Sequence, residues 1–182
     1  MKYKKYILNS VELELLFQLS RTGITTFEQI SKYYKLNKKE LTNLSEHGYI
    51  SLYNFTVRGS CVTLIKMNRA GGVYCKKNLG VKHCYQSQSN HAEHDIKLTE
   101  CYCRLNSRLK QSWQNESELL EELHLNYPSF ITTDSVCIDA RIGYEGHYIG
   151  IEARGKSYTT LDIKRKEEVA LKYLKCISLE VI

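Results

Sequence analysis

The sequence lacks three features that would each place it in a broad class of protein. No apolar run approaches the length that a membrane-spanning helix needs. No Gly-rich phosphate-binding loop is present, which excludes the P-loop class. No Cys-x-x-Cys pair occurs among the 7 cysteines, and their odd number and scattered spacing favour free thiols in a reducing compartment.

The composition is that of a packed globular protein. The chain has 182 residues, of which 42% are hydrophobic and 25% charged, enough for one ordinary domain or two small ones. Its start, MKYKKYILNSVELELLFQL, is basic and then apolar, as a signal peptide is. Glu12 and Glu14 interrupt the apolar run and no small-residue cleavage site follows, so we expect a cytoplasmic protein.

Aspartate is absent from the first half of the chain, and charge is divided unevenly. Residues 1–90 carry 14 Lys and Arg against 5 Glu, a net charge of +9. Residues 91–182 carry 12 Lys and Arg against 15 Asp and Glu, a net charge of −3. This asymmetry predicts two domains, the first of which faces a polyanion.

The basic half begins with a helical pattern. Ser10 is a good N-cap, and the apolar residues that follow it share one helical face up to Gly23. Thr25-Thr-Phe-Glu28 then has the spacing of a capping box and predicts a second helix to about Tyr34. The residues expected to face inward on this second helix are Phe27, Ile30 and Tyr33 or Tyr34.

A second capping box, Asn37-Lys-Lys-Glu40, predicts a third helix that ends at His47, with Gly48 after it and Leu41 and Leu44 buried. Two short helices joined by a tight turn are typical of a helix-turn-helix, in which the second helix meets DNA. The candidate DNA-binding side chains on its outer, N-terminal side are Lys38, Lys39, Thr42 and Asn43.

Two β-rich runs, YISLYNFTV and CVTLIKMN, follow on either side of an Arg-Gly turn. They predict a wing with Arg58 at its tip, where it can contact a groove or a phosphate. Residues 1–80 are thus expected to form a winged-helix DNA-binding domain. The alternative is a small helical packing domain whose lysines only solvate it.

The second half, residues 91–182, predicts an α/β domain with a central mixed sheet. Residues 81–90 are polar and without periodicity, and we interpret them as a junction. The pattern then runs helix, three strands, helix and strand, with two of the strands joined by the turn Gly143-Tyr-Glu-Gly146.

Acidic residues fall at the ends of two of these strands. Asp139 lies in VCIDARIG, and Glu152-Ala-Arg154 follows thirteen residues later in HYIGIEARG. Many metal-dependent nucleases hold Mg²⁺ with an acid on one strand and an acid-x-base pattern on the next. Glu116 or Glu118, on the preceding helix, would supply a third carboxylate.

Most of the chain resembles the replication-relaxation family, which is carried by plasmids and other mobile elements. The matching segments are LIKMNRAGGVYC, HAEHDIKLTECYCRL, WQNESEL, VCIDARI and YIGIEARGKSYTTLDIKRKEEVALKY. The resemblance implies a winged helix followed by a domain related to the PD-(D/E)XK nuclease fold. It matches His94, with His91 a less favoured fit, to the family's helix-opening His, and Asp139 and Glu152 to its acids.

The sequence departs from the family at two positions. Ile138 replaces the Pro before Asp139, and Arg154 stands where the family has Asp and where a nuclease of this type has Lys. Arginine keeps its proton and cannot act as a base. Lys156 or Lys166 could reach the site from elsewhere, and the acids could instead form ion pairs with Arg154 or Arg141.

We therefore expect a nuclease-like domain that does not cleave. If it were active, its catalytic residues would be Asp139, Glu152, Glu116 and Arg154, with Mg²⁺ bound by Asp139 and Glu152. A metal cluster of His83, Cys84, His91 and His94 matches no familiar zinc spacing. A tyrosine nucleophile is a further alternative, although nothing distinguishes one of the 14 tyrosines.

The function that fits these patterns best is sequence-specific binding of double-stranded DNA, as an accessory factor in plasmid transfer or replication. A relaxase or replication initiator would be its partner, and it could form a homodimer. One alternative is a Mg²⁺-dependent endonuclease that uses Asp139 and Glu152. The other is a transcription regulator whose second domain dimerises or senses a ligand.

Overall fold

The computed structural model describes residues 6–57, 59–87, 91–129 and 136–182. In these ranges the chain combines α-helices with two β-sheets, one antiparallel and one mixed. It divides into two compact units, and Ser87 is the last residue of the first. Within the described ranges, no helix is both long and apolar enough to cross a bilayer. The prediction of a mixed α and β chain with a mixed sheet is therefore confirmed.

Helix α1 (Ser10–Thr22) opens the first unit, and its N-cap is Asn9 rather than the predicted Ser10. The Asn9 side chain accepts the backbone N–H of Glu12 at 2.9 Å, and the Glu12 carboxylate accepts the N–H of Asn9 at 2.9 Å. This reciprocal pair needs a Glu or Gln three residues after the N-cap. Asn9 is followed at that spacing by Glu12, whereas Ser10 is followed by Leu13. Gly23 ends the helix with φ of 81°, a conformation that favours glycine.

A short strand, β1 (Ile24–Thr26), precedes helix α2 (Phe27–Tyr33). The capping box of α2 is formed by Thr26 and Gln29, one residue later than predicted. The shift follows from β1, because Thr25 is paired with the neighbouring strand and remains in extended conformation. The helix can begin only where that pairing ends.

Helix α3 (Lys38–Glu46) begins as predicted. The Asn37 side chain accepts the backbone N–H groups of Lys39 and Glu40, and the Glu40 carboxylate accepts the N–H of Asn37 at 2.8 Å. Gly48 follows the helix with φ of 75°, as its predicted C′ role requires.

Strands β2 (Ile50–Val57) and β3 (Ser60–Met67) form the expected hairpin, and β1 pairs with the other edge of β3. The resulting antiparallel sheet and the helices enclose one core. Phe27, which the sequence predicts to face inward, is 38% exposed. The fully buried hydrophobic residues of this unit are Leu15, Leu16, Leu19, Ile24, Ile30, Leu41, Leu44, Ile50, Leu64, Ile65 and Cys75.

Helix α4 (Arg69–Asn78) completes the first unit, and the segment after it packs on the same unit. The backbone N–H of Tyr85 donates to the carbonyl of Ser20 at 2.9 Å, and Lys66 Nζ donates to the carbonyl of Ser87 at 2.6 Å. Residues 81–87 therefore belong to the first unit, and the division between the units, after Ser87, falls within the predicted junction of residues 81–90. Backbone hydrogen bonds, which polar side chains do not reveal, hold them there.

The second unit begins with helices α5 (Ala92–Arg104) and α6 (Ser107–Ser112). A two-residue strand, β4 (Gln114–Asn115), leads directly into α7 (Glu116–Asn126). Trp113, the single tryptophan of the chain, is buried between α6 and β4. Helices α5 and α7 thus belong to the same unit as the predicted acids Asp139 and Glu152.

A four-stranded mixed sheet forms the centre of the second unit. Its order is β4-β5-β6-β7, with β5 (Ala140–Tyr144), β6 (His147–Glu152) and β7 (Cys176–Val181). Strands β4, β5 and β6 are antiparallel neighbours, and β7 is parallel to β6. The predicted turn between β5 and β6 is confirmed, with positive φ at Glu145 and Gly146 as a tight hairpin requires.

Helix α8 (Thr160–Lys172) connects the parallel strands β6 and β7, since parallel neighbours need a crossover. Its inner face packs on the sheet and on α7. The buried core at this contact comprises Leu119, Leu123, Cys137, Ile138, Val169, Ala170, Leu174 and Cys176. This packing fixes which residues of α8 face the strand ends.

Candidate functional site

Two carboxylates meet at the end of the hairpin formed by β5 and β6. Asp139 directly precedes β5, and Glu152 is the last residue of β6. The antiparallel register places these two residues opposite each other. The backbone N–H of Asp139 donates to Glu152 Oε2 at 3.2 Å, and the N–H of Ala153 donates to Asp139 Oδ2 at 2.7 Å. Both side chains are buried, with Glu152 fully so.

Helix α5 brings His94 to these acids. Its Nε2 lies 2.9 Å from Asp139 Oδ2, and its Nδ1 lies 3.0 Å from Oδ1 of Asp95, which is fully buried. Burial alone would lower the pKa of His94, but the hydrogen bonds to Asp139 and Asp95 outweigh it and raise this pKa to about 10. The imidazole is therefore held as a cation between two carboxylates.

Helix α8 brings Lys166 to the same place. Its Nζ lies 2.8 Å from Glu152 Oε1 and donates to the carbonyl of Cys137 at 2.8 Å. The distance to Oε1 is that of a charge-assisted contact between an ammonium and a carboxylate. Burial would lower the pKa of Lys166, but the carboxylates of Glu152 and Asp139 raise it, so the amine stays protonated.

Burial and the proximity of several carboxylates raise the pKa values of two acids in the cluster. Burial and then the Asp139 carboxylate raise the pKa of Glu152 to about 7, although Lys166 opposes this. Burial and Asp139 also raise the pKa of Glu116, while Lys166 and His94 lower it. Glu116 thus lies within electrostatic reach of the cluster, as expected of a third carboxylate. A divalent cation would relieve the repulsion among these acids.

The ion pairs considered for the two acids are wrong. Arg154 is exposed, and its side chain forms no ion pair with a described residue. Its backbone N–H donates to the carbonyl of Ile182 at 2.9 Å. Arg141 is buried and donates to Glu122 at 3.1 Å and to the carbonyl of Leu174 at 2.7 Å. The acids are paired with His94 and Lys166 instead.

Two other suggested side chains do not enter the site. Glu118 caps α7, where its carboxylate accepts the backbone N–H of Asn115 at 3.0 Å. Lys156 is exposed and forms an ion pair with Glu93 at 2.7 Å. Lys166 is therefore the alternative cation that reaches the acids. Sequence reasoning missed Asp95, although its position beside His94 at the start of a helix was a usable signal.

A divalent cation fits the donor atoms of this cluster. His94, Asp139 and Glu152 each offer one ligand atom, and these atoms lie within 4.8 Å of one another. In the described ranges this is the one such group of three, so His94 belongs to the carboxylates rather than to a cluster with His83, Cys84 and His91. Imidazole and carboxylate are common ligands of divalent metals in proteins.

The predicted DNA-binding residues lie on α3 of the first unit. Lys38, Lys39 and Thr42 are exposed, and the Thr42 hydroxyl donates to the carbonyl of Lys38 at 2.9 Å. Asn43 is half-buried, and its carbonyl bonds with the backbone and ring of the helix-ending His47. The predicted wing-tip residue, Arg58, lies outside the described residues.

Comparison with family models, curated proteins and solved structures finds no match to this chain. The resemblance to the replication-relaxation family therefore stays a prediction. The geometry of the site carries the functional argument by itself.

Proposed function

We propose that the protein binds double-stranded DNA through its first unit and cleaves a phosphodiester bond with metal assistance at the cluster of its second unit. The observation that carries this proposal is the ion pair between Lys166 and Glu152. Sequence reasoning disfavoured cleavage because Arg154 occupies the position expected of a lysine. Lys166 supplies a lysine to the same carboxylate from a different element.

In this proposal Asp139 and Glu152 hold a Mg²⁺ ion, which would polarise the phosphate and lower the pKa of a bound water. Lys166 keeps its proton, since its pKa is raised, and acts by placing positive charge beside Glu152 and the phosphate. Glu116 adds a third carboxylate beside the cluster, and burial and Asp139 raise its pKa. The PD-(D/E)XK relation implied by the resemblance agrees with these roles.

The first unit supports DNA binding by its shape and its charge. Three helices followed by a hairpin are consistent with a winged helix, in which α3 would be the recognition helix. Lys38, Lys39 and Thr42 project from its exposed side, with Asn43 beside them. The net charge of +9 over residues 1–90 attracts a polyanion, and Arg58 would bind a further phosphate from the wing.

The test of cleavage uses the full chain with supercoiled plasmid and Mg²⁺ or Mn²⁺. We expect nicked or linear product, and Asp139→Asn should abolish it because the metal loses a ligand. Glu180→Gln, which changes an exposed carboxylate on β7, should leave cleavage unchanged. The test uses plasmids with and without the replication or transfer origin of the mobile element that encodes the protein. If the wild-type chain gives no product on either plasmid with either metal, the enzymatic part of the proposal is wrong.

A second candidate is an accessory protein that binds DNA without cutting it. The bonds from Asp139 N–H to Glu152 and from Ala153 N–H to Asp139 favour it, because they tie the two strand ends together as structural staples would. In that case the protein, as a monomer or a homodimer, would recruit a relaxase or a replication initiator to the DNA. DNA binding without cleavage, with a footprint at a transfer or replication origin, would support this role; binding at promoters of unrelated genes would indicate a transcription regulator.

A further inference from the structure

We infer that His94 is a third protein ligand of the cation held by Asp139 and Glu152, which makes the cluster a His-Asp-Glu site for a transition-metal ion such as Mn²⁺. The inference deepens the proposed function, since it concerns the same cluster. It also holds for metal binding by itself, whether or not the chain cleaves DNA.

The distances suit a shared ion. His94 Nε2 and Asp139 Oδ2 are 2.9 Å apart, and one oxygen of Glu152 lies within 4.8 Å of both. Metal–nitrogen and metal–oxygen bonds of about 2.1 Å place neighbouring ligand atoms on one ion about 3 Å apart. A small adjustment of Glu152 would then complete three ligands on one side of the ion.

The contact between Asp95 and His94 also supports a metal-binding role for the histidine. Asp95 Oδ1 lies 3.0 Å from His94 Nδ1, the nitrogen that faces away from the other acids, and the Asp95 side chain is fully buried. Histidines that bind metals almost always donate their other ring N–H to a carboxylate or carbonyl, which fixes the ring and directs Nε2 to the metal. In the metal-free protein Nε2 pairs with Asp139, and it would release its proton to solvent when the ion binds. A histidine placed only to pair with Asp139 would not need a second buried acid behind it.

The ligand types set the class of metal. Mg²⁺ prefers oxygen ligands and keeps most of its water, so an imidazole adds little to its binding. Mn²⁺ accepts carboxylates and imidazole together, and Zn²⁺, Fe²⁺ and Co²⁺ favour imidazole more strongly. His94 should therefore raise affinity for these ions much more than for Mg²⁺. Lys166, which pairs with Glu152 Oε1, would stay as a fixed cation beside the ion.

The experiment measures metal binding by the full chain directly. Mn²⁺ is titrated calorimetrically, and electron spin echo envelope modulation of the Mn²⁺-loaded protein detects a directly bound nitrogen. We expect a nitrogen signal in the wild type and its loss in His94→Gln, with Mn²⁺ affinity reduced at least about tenfold and Mg²⁺ affinity little changed. Asp95→Asn should reduce Mn²⁺ affinity by a smaller factor and keep the nitrogen signal.

The matched control is His91→Gln, an exposed histidine at the start of the same helix whose ring centroid is 6.2 Å from that of His94. It should keep both the affinity and the nitrogen signal. Wild-type protein that binds no Mn²⁺, or binds it without a nitrogen signal, overturns the inference even if His94→Gln does not fold. Equal Mn²⁺ affinity in folded His94→Gln overturns it as well.

The two proposals can fail separately. His94-dependent Mn²⁺ binding without cleavage of plasmid DNA leaves this inference standing and removes the enzymatic function. Cleavage with Mg²⁺ that is unchanged in His94→Gln, together with Mn²⁺ binding that lacks a nitrogen signal, keeps the function and removes the inference.

Discussion

The two units of the protein place their charges in opposite ways. In the described part of the first unit, Glu12 is the one charged side chain that is buried, and the lysines of α3 and α4 face solvent. The second unit has less net charge but buries five charged side chains: Asp95, Asp139, Arg141, Glu152 and Lys166. Exposed cations attract a polyanion at little cost in stability, whereas buried charges need paired partners and are commonly found at functional sites.

The largest expected effect comes from breaking a buried pair in the second unit. Lys166→Met leaves Glu152 buried beside Asp139 without its cation and should lower the free energy of unfolding by about 3–5 kcal/mol. It should also abolish any metal-dependent cleavage. Urea unfolding followed by circular dichroism measures the first effect, and the plasmid assay measures the second.

The matched control is Lys164→Met, which removes an exposed lysine two residues away on the same helix. It should change the free energy of unfolding by less than about 0.5 kcal/mol. The double variant Lys166→Met with Glu152→Gln should recover much of the stability, because the uncompensated charge is gone. Equal stability of Lys166→Met and Lys164→Met would contradict the contrast drawn between buried and exposed charge.

The first unit should respond in affinity rather than in stability. Lys38→Ala with Lys39→Ala should weaken binding to duplex DNA by about tenfold for each phosphate that the variant no longer binds. The slope of log K against log salt should become shallower by about 2, since two counterions are no longer released. Fluorescence anisotropy across a salt series measures both quantities.

A lysine pair of the same unit serves as control. Lys76 and Lys77 are exposed near the end of α4 and carry the same charge, so Lys76→Ala with Lys77→Ala lowers the net charge equally. We expect a clearly smaller decrease in affinity. Equal decreases from the two pairs would mean that DNA responds to overall charge and that α3 is not the surface that binds it.

The pH dependence of stability should differ between the units. The pKa of His94 is raised from 6.5 to about 10, so the stability that it contributes is fully present below pH 6.5 and is lost as pH rises towards 10. Glu152, raised from 4.5 to about 7, acts in the same direction at lower pH. Metal-free protein should therefore lose stability in the second unit above pH 6.5, by at most about 1.4 kcal/mol per pH unit for one proton.

Comparison of wild type with His94→Gln by urea unfolding between pH 6 and pH 10 isolates the contribution of the histidine. The groups that face His94 are Asp95 and Asp139, with Glu116 within electrostatic reach. The difference in unfolding free energy between the two proteins should shrink as pH rises. A difference that is constant over this range would mean that His94 is neutral in the folded protein.

The smallest effect concerns how α3 is started. Asn37→Ala removes the side chain that accepts two backbone N–H groups and should lower the free energy of unfolding by about 1 kcal/mol. Asn37→Ser keeps an acceptor and should destabilise the protein much less. If Asn37→Ala matches wild type in urea unfolding, the capping box does not stabilise this helix.

Local patterns predicted much of the fold correctly. The capping box at Asn37, the buried Leu41 and Leu44 and the hairpin turn between β5 and β6 are all present, because each depends on residues close together in the chain. The errors arose where another interaction competed with a local signal. The box of α2 moved to Thr26 because Thr25 pairs with β3, and the N-cap of α1 is Asn9 because its side chain and Glu12 form a reciprocal pair.

For the site, the sequence alone determined that Asp139 and Glu152 would face each other, since a short hairpin fixes its own register. Only the tertiary structure decided which cations pair with them. His94 and Lys166 are far apart in the chain and come from two helices, α5 and α8, whose packing brings them to the same strand ends. Arg154, the neighbour in sequence, is exposed and pairs with neither acid. A hairpin is a local structure encoded by adjacent residues, whereas the approach of two helices depends on how the whole core packs.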